Sequence, residues 1–175
     1  SAISTDAAIN LRNAIRVAAC PEARGMGVLV VLNDEIQAAR EVTKTSTFRM
    51  QTFRTPDFGV LGQCDGDAIV FYRQPLRRRA PDTEFRVRGT GSLPRVDIAY
   101  AYAGGDAVAI EAFTAAGARG IIAAGMAPGT MTKSQYAALE AAREKGIIVL
   151  ISSRAGSGRV ITRAGLRRQG FLGAD

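Results

Sequence analysis

Residues 43–47 read Thr-Lys-Thr-Ser-Thr, so a single lysine, Lys44, stands among four hydroxyl side chains: Thr43, Thr45, Ser46 and Thr47. Lysine is scarce in this 175-residue chain, which carries three lysines against twenty arginines. There is no histidine at all. That absence excludes Ser-His-Asp and Cys-His pairs, a histidine general base and any imidazole-ligated zinc or iron site. A proton acceptor in this chain must therefore be Lys, Asp, Glu, Tyr or water, which directs attention to Lys44. The plainer reading of the same residues is a solvated surface lysine in a threonine-rich loop.

Other chemical signals are weak. Cys20 and Cys64 have no CxxC or other ligand spacing and read as free thiols. The pair Asp65 and Asp67 in "DGD" marks a hairpin tip rather than a metal site, and no metal or cofactor is expected. "AGSGRVI" places Ile161 where a dinucleotide loop needs a third glycine, and no GxxxxGK[ST] occurs. The net charge of +7 comes mostly from arginine, clustered at Arg77, Arg78 and Arg79, at Arg86 and Arg88, and at Arg167 and Arg168. These clusters sit in Pro/Gly-flanked loops without stacking aromatics and match no nucleic-acid-binding motif, which argues against nucleic acid as a partner. With 47% hydrophobic and 22% charged residues the composition is that of a globular chain, and no apolar run approaches the length of a membrane helix. No membrane partner is expected. The compartment stays open, with the cytoplasm slightly favoured.

The elements that must position Lys44 are legible to different degrees. "DAAINLRNAIRVAA" sets Leu11, Ala14, Ile15, Ala18 and Ala19 at helical spacing behind Ser4, Thr5 and Asp6, with Pro21 after its end. "GVLVVLND" (27–34) reads as a strand buried on both faces, so a helix leading into it implies an α/β layer. The segment 35–58, which contains Lys44, is polar and reads as irregular. "FGVLGQCDGDAIVFYR" gives two β-prone runs around Asp65-Gly66, a hairpin signal. From Gln74 to Pro94 a rise in Pro, Gly, Arg and Thr marks a linker.

Beyond the linker the periodicity is regular. Strands are predicted over 95–103, 120–126 and 147–153, and helices over about 106–116 and 132–145, the second opening on a capping box from Thr132 to Gln135. This βαβαβ order favours a parallel sheet with right-handed crossovers. Ligands of such sheets gather at the carboxyl ends of the strands, here near 103–106, 126–131 and 152–158. The fold class is therefore α/β: an incomplete N-terminal α/β lobe over 1–73, a linker over 74–94, and a C-terminal parallel βαβαβ domain over 95–175.

The continuous stretch "GVLVVLNDEIQAAREVTKTSTFRMQTFRTPDFGVLG" resembles the bacterial L-asparaginase/glutaminase family, whose chains carry an "MND"-like strand end, then "R-[DE]-V-T-K-T-[NS]-T", then "TF-x-S/T-P-x-FG-x-LG". The helix "INLRNAIRVAA", the "AY" strand, "GIIAAGMAPG" and "VLISSRAGSGRV" follow in the family order. The resemblance implies two α/β domains and an L-asparaginase-type amidohydrolase, hydrolysing L-asparagine, and less readily L-glutamine, to the acid and ammonia, without a cofactor. It implies a threonine nucleophile that forms an acyl-enzyme, assisted by the lysine of "VTKT", which maps onto Lys44.

A lysine in that role must be able to release its proton, which arginine cannot do in a protein. Thr43 and Thr45 are the nearby hydroxyls, although on a strand both would turn away from Lys44. Neither "TGGTI" nor "GTDT", the family's nucleophile motifs, occurs in these residues. What is present corresponds to roughly the later half of a family chain, so either a naturally short form or a fragment is expected: a short amidohydrolase, or a non-catalytic half or interaction module that needs a second chain for the nucleophile motifs. Such a chain should expose the apolar faces of 27–32 and of the helix 7–19, and a homo-oligomer, or else a compact rearranged lobe, is expected to cover them.

Overall fold

A computed structural model of the protein describes residues 5–86, 88–161 and 164–174. Its contacts group into two compact units, Ser1–Arg88 and Gly89–Asp175.

In the first unit helix α1 (Ala7–Ala19) forms where the periodicity places it, and Pro21 opens a short 3-10 turn just beyond it. Its buried residues, however, are Asn10, Asn13 and Val17, while Leu11 and Ile15 of the apolar row are 64% and 62% exposed. The asparagines are buried because a hairpin turn docks on them. Strands β1 (Leu29–Leu32) and β2 (Glu35–Ala38) are antiparallel and joined by Asn33 and Asp34, whose φ angles are 52° and 62°. Positive φ at both central residues is the hairpin turn that matches strand twist, and Asn and Asp tolerate it best among residues with a side chain. The Asn33 N–H donates to Asn10 Oδ1 at 3.0 Å, and Asn13 Nδ2 donates to Asp34 Oδ1 at 2.7 Å.

The second hairpin pairs β5 (Gly62–Cys64) with β6 (Ile69–Phe71) around Asp65-Gly66, as "DGD" implies. Arg16 of α1 donates to the Asp65 carbonyl at 2.6 Å, so one helix face grips both hairpin tips. The sheet runs β1-β2-β5-β6, antiparallel throughout, over a core of Val17, Ile36, Ala38, Leu61 and Cys64. The expectation of a strand buried on both faces at 27–34 is corrected here: β1 lies at the sheet edge and its four residues are each half-buried. The segment 35–58 is likewise not irregular throughout, since it holds β2 and a two-stranded ribbon, β3 (Thr43–Lys44) with β4 (Phe53–Arg54). Cys20 and Cys64 are free. The Cys20 thiol donates to the Glu22 carboxylate at 2.8 Å, which holds it above its usual pKa.

The second unit is the parallel layer that the periodicity predicts. Strand β7 (Val96–Tyr100), helix α2 (Val108–Ala115), strand β8 (Gly120–Gly125), helix α3 (Lys133–Glu144) and strand β9 (Ile148–Ser153) follow in order, with β7–β8 and β8–β9 parallel. A short helix α4 (Ala164–Arg168) and a two-residue strand β10 (Leu172–Gly173) extend the sheet to β10-β9-β8-β7. Neither was anticipated, because elements this short carry no measurable period.

One face of the sheet is closed by a core that includes Ala99, Ala101, Ile110, Ile121, Ala123, Leu139, Val149 and Ile151. The other presents the alternate residues Val96, Ile98 and Tyr100 of β7, Ile148 of β9 and Leu172 of β10, each between 52% and 62% exposed. Among the described residues no helix is long and apolar enough to cross a membrane, and no group of three or more His, Cys, Asp or Glu side chains could hold a metal.

The capping box at α3 is fully formed: the Gln135 N–H donates to Thr132 Oγ1 at 3.2 Å and the Thr132 N–H to Gln135 Oε1 at 3.2 Å. The Thr132 hydroxyl also donates to the Gly105 carbonyl at 2.8 Å, joining the cap to the turn after β7. Thr132→Ala is expected to cost about 1–2 kcal/mol, the upper part of the range for an N-cap. A urea titration followed by circular dichroism measures it, and an unchanged midpoint would show the cap to be dispensable.

Candidate functional site

Lys44 lies on β3, in register with Phe53 of β4. The Thr45 N–H donates to the Thr52 carbonyl at 2.7 Å, the inter-strand bond that flanks the next residue pair along the ribbon. Lys44 and Phe53 are then the intervening pair, in which backbones approach more closely and side chains meet across the ribbon. Accordingly the Lys44 ammonium sits over the Phe53 ring, 5.9 Å from its centroid. Among the described residues it has no hydrogen-bond or ion-pair partner, and the side chain is exposed.

An open depression of ≈ 410 Å³ is lined by Lys44, Thr45, Ser46 and Thr47. The sequence-predicted residues thus separate: Thr45 shares the depression with Lys44, and Thr43 does not line it. Strand alternation turns Thr43 away, as the extended geometry requires. The Thr45 hydroxyl is already engaged, donating to the Thr52 carbonyl at 2.9 Å. Thr52 closes the loop from within: its hydroxyl donates to the Ser46 carbonyl and accepts from the Ser46 N–H at 3.0 Å. The hydroxyls nearest Lys44 therefore shape the ribbon, and the loop beyond them carries Phe48 and Met50 into solvent.

A two-stranded ribbon of this length is marginal alone and needs support from what it docks on. Side chains alternate along β2, so Ile36 and Ala38 enter the core with Val17 of α1 while Glu35 and Gln37 face the opposite side. Gln37 is fully buried there. Its Nε2 donates to the Phe53 carbonyl at 2.9 Å and to Glu35 Oε2 at 3.3 Å, and its Oε1 accepts from the Thr55 hydroxyl at 2.8 Å. Both ends of the buried amide are satisfied.

A second brace lies on the other side of the motif. Arg73 pairs with Glu41 Oε2 at 2.8 Å, donates to the Val60 carbonyl at 3.1 Å and also reaches the Gly59 carbonyl, tying "FGVLG" to the residues just before Lys44. Sequence reading missed Gln37, Thr52, Thr55, Glu41 and Arg73. The available signal was a glutamine inside an otherwise strand-like run and two threonines flanking "FR".

The carboxyl ends of the parallel strands, the other expected ligand region, are largely self-satisfied. Gln135 Nε2 donates to the Tyr100 carbonyl at 3.1 Å, Arg154 Nη1 to the Ala101 carbonyl at 2.5 Å, and the Arg154 N–H to the Gly125 carbonyl at 2.8 Å. The Arg77–Arg79 cluster is in part structural as well, since Arg79 folds back to donate to the Gly25 and Pro75 carbonyls, each at 2.5 Å.

Comparison with known proteins extends the resemblance across both units. Residues 1–77 match the family "Asparaginase, N-terminal" and residues 95–175 the "Glutaminase/Asparaginase C-terminal domain". L-asparaginase 2 of Bacillus subtilis is 41% identical over 160 residues, which is 91% of this chain and 42% of that protein. Glutaminase-asparaginase of Pseudomonas fluorescens biotype A is 37% identical over 93% of this chain and 45% of its own length. Among solved structures, a probable cytoplasmic L-asparaginase from Campylobacter jejuni superposes with a TM-score of 0.93 at 37% identity, covering 97% of this chain and 56% of that one. The chain spans about half the length of the curated relatives it matches. By its sequence, its two matched segments and its fold, the chain belongs to the asparaginase family.

Proposed function

We propose that this chain supplies the lysine-bearing part of an L-asparaginase active site, converting L-asparagine and water to L-aspartate and ammonia, with L-glutamine as a slower substrate. The observation that carries the proposal is the presentation of Lys44: a lone lysine in the family's "VTKT" context, exposed at a hydroxyl-lined depression on a ribbon braced from both sides. In this reading Lys44 takes the proton from a threonine hydroxyl as that oxygen attacks the side-chain amide carbon. The proton then goes to the departing amine, which leaves as ammonia, and water cleaves the resulting ester.

Thr45 is a poor nucleophile here because its hydroxyl proton is committed to the Thr52 carbonyl. Thr43 lies on the opposite face of β3. The attacking threonine is therefore expected from a "TGGTI" or "GTDT" segment, which these residues do not contain. The proposed division of the chain is a partial lobe over 1–73, a linker over 74–94 and a C-terminal domain over 95–175.

A second reading is favoured by the exposed apolar residues, Leu11 and Ile15 on α1 and Val96, Ile98 and Tyr100 on β7. There the chain is a non-catalytic half or interaction module that requires a complementary chain, and self-association into a homo-oligomer is the simplest way to cover such faces. One experiment separates the readings: ammonia release from asparagine by the pure chain, alone and mixed with a chain carrying "TGGTI" and "GTDT". Release in either sample that is lost with Lys44→Met supports the active-site reading. A folded mixture without release leaves the interaction module.

A further inference from the structure

We infer that Gln37 is a positioning residue for Lys44, acting through the Phe53 carbonyl. The inference deepens the proposed function, since it matters to catalysis only if Lys44 does. In an antiparallel pair that exchanges no hydrogen bonds, each residue's N–H and C=O point away from the partner strand. Phe53 is in that position opposite Lys44, so its carbonyl points away from β3 and faces no further strand. The Gln37 carboxamide takes the place of the missing strand, donating to this carbonyl at 2.9 Å from a fully buried site.

The orientation of that amide is itself fixed. Thr55, two residues after Phe53 and also buried, donates its hydroxyl to Gln37 Oε1 at 2.8 Å. The backbone of β4 is thus held at two points by one β2 side chain. Phe53 in turn provides the surface on which the Lys44 ammonium rests. Because Gln37 belongs to β2, an inner strand of the antiparallel sheet, the position of Lys44 is referenced to that sheet.

The test compares the parent chain with Gln37→Met, which keeps the volume and removes the hydrogen bonds. Nuclear magnetic resonance reads two signals. The first is the upfield displacement of the Lys44 side-chain protons by the Phe53 ring, whose zero is set by Phe53→Leu. The second is exchange of the Thr45 amide, which reports the ribbon, against the Leu61 amide bonded to Ile36, which reports the sheet. The expected result is loss of most of the Lys44 displacement and Thr45 exchange at least about tenfold faster, with Leu61 protection retained.

Should Gln37→Met fail to fold, Thr55→Val is read by the same criteria, with Thr55→Ser expected to restore the parent signals. Unchanged Lys44 and Thr45 signals in a folded variant would overturn the inference. These measurements use no substrate, so they stand or fall independently of whether Lys44→Met abolishes ammonia release.

Discussion

Under the proposed function, Lys44→Met is expected to lower kcat for asparagine at least about a hundredfold, the lower end of what a positioned acid or base contributes. Lys44→Arg is expected to be nearly as damaging. It keeps the positive charge, and a guanidinium can still stack on Phe53, but it cannot release a proton in a protein. The fold should be almost unaffected by either change. The Lys44 side chain is exposed, its ribbon is held by backbone bonds at Thr45 and by Gln37 and Thr52, and exposed substitutions away from such anchors usually fall within about 0.5 kcal/mol. Steady-state ammonia release, with thermal unfolding measured on the same preparations, checks both halves of the expectation. A Lys44→Arg variant of near-parental rate would mean that the site uses the charge of Lys44 and not its proton.

The largest expected loss of stability comes from replacing one hydrogen atom. Gly62 of β5 pairs with Ile36 of β2 on one side and Phe71 of β6 on the other. A Cβ placed there would lie 2.0 Å from the Val70 carbonyl oxygen and 2.9 Å from Phe71 Cα. Both obstacles are backbone, so no side-chain rotation relieves them. Gly62→Ala must therefore separate β5 from β6 or displace β5 together with the buried Leu61 that precedes it, and about 3 kcal/mol or more is expected to be lost. Gly66, at the tip of the same hairpin, would meet nothing within 4 Å of an added methyl and is not at positive φ. Gly66→Ala is the matched control, expected within about 0.5 kcal/mol of the parent. Urea denaturation of the two variants gives the comparison, and equal midpoints would refute the steric account.

The second unit was legible because its elements are long enough to show a period and end on recognisable punctuation: Gly104-Gly105-Asp106 before α2, Gly117 after it, and the Thr132–Gln135 box before α3. In the first unit, local pattern and tertiary demand disagree. Leu11 and Ile15 form the periodic apolar row, yet Asn10 and Asn13 are buried because each meets a turn more than twenty residues away in sequence. The β1–β2 hairpin was hidden by its turn, Asn33-Asp34, which lacks the glycine that usually announces a two-residue loop. Lys44 was singled out by its residue type and the family pattern around it. Gln37 was not, because a glutamine becomes meaningful only when its strand faces a carbonyl with no other donor, and no one-dimensional pattern encodes that.

The uncovered face of the parallel sheet leaves a calorimetric signature. Val96, Ile98, Tyr100, Ile148 and Leu172 are already hydrated in the native monomer, so its unfolding wets less new apolar surface than folding normally removes. The heat-capacity increment of unfolding should accordingly fall below the usual value of about 12–15 cal/mol/K per residue. The stability curve of this chain is then shallow: its free energy changes little on cooling, and cold denaturation recedes to lower temperature.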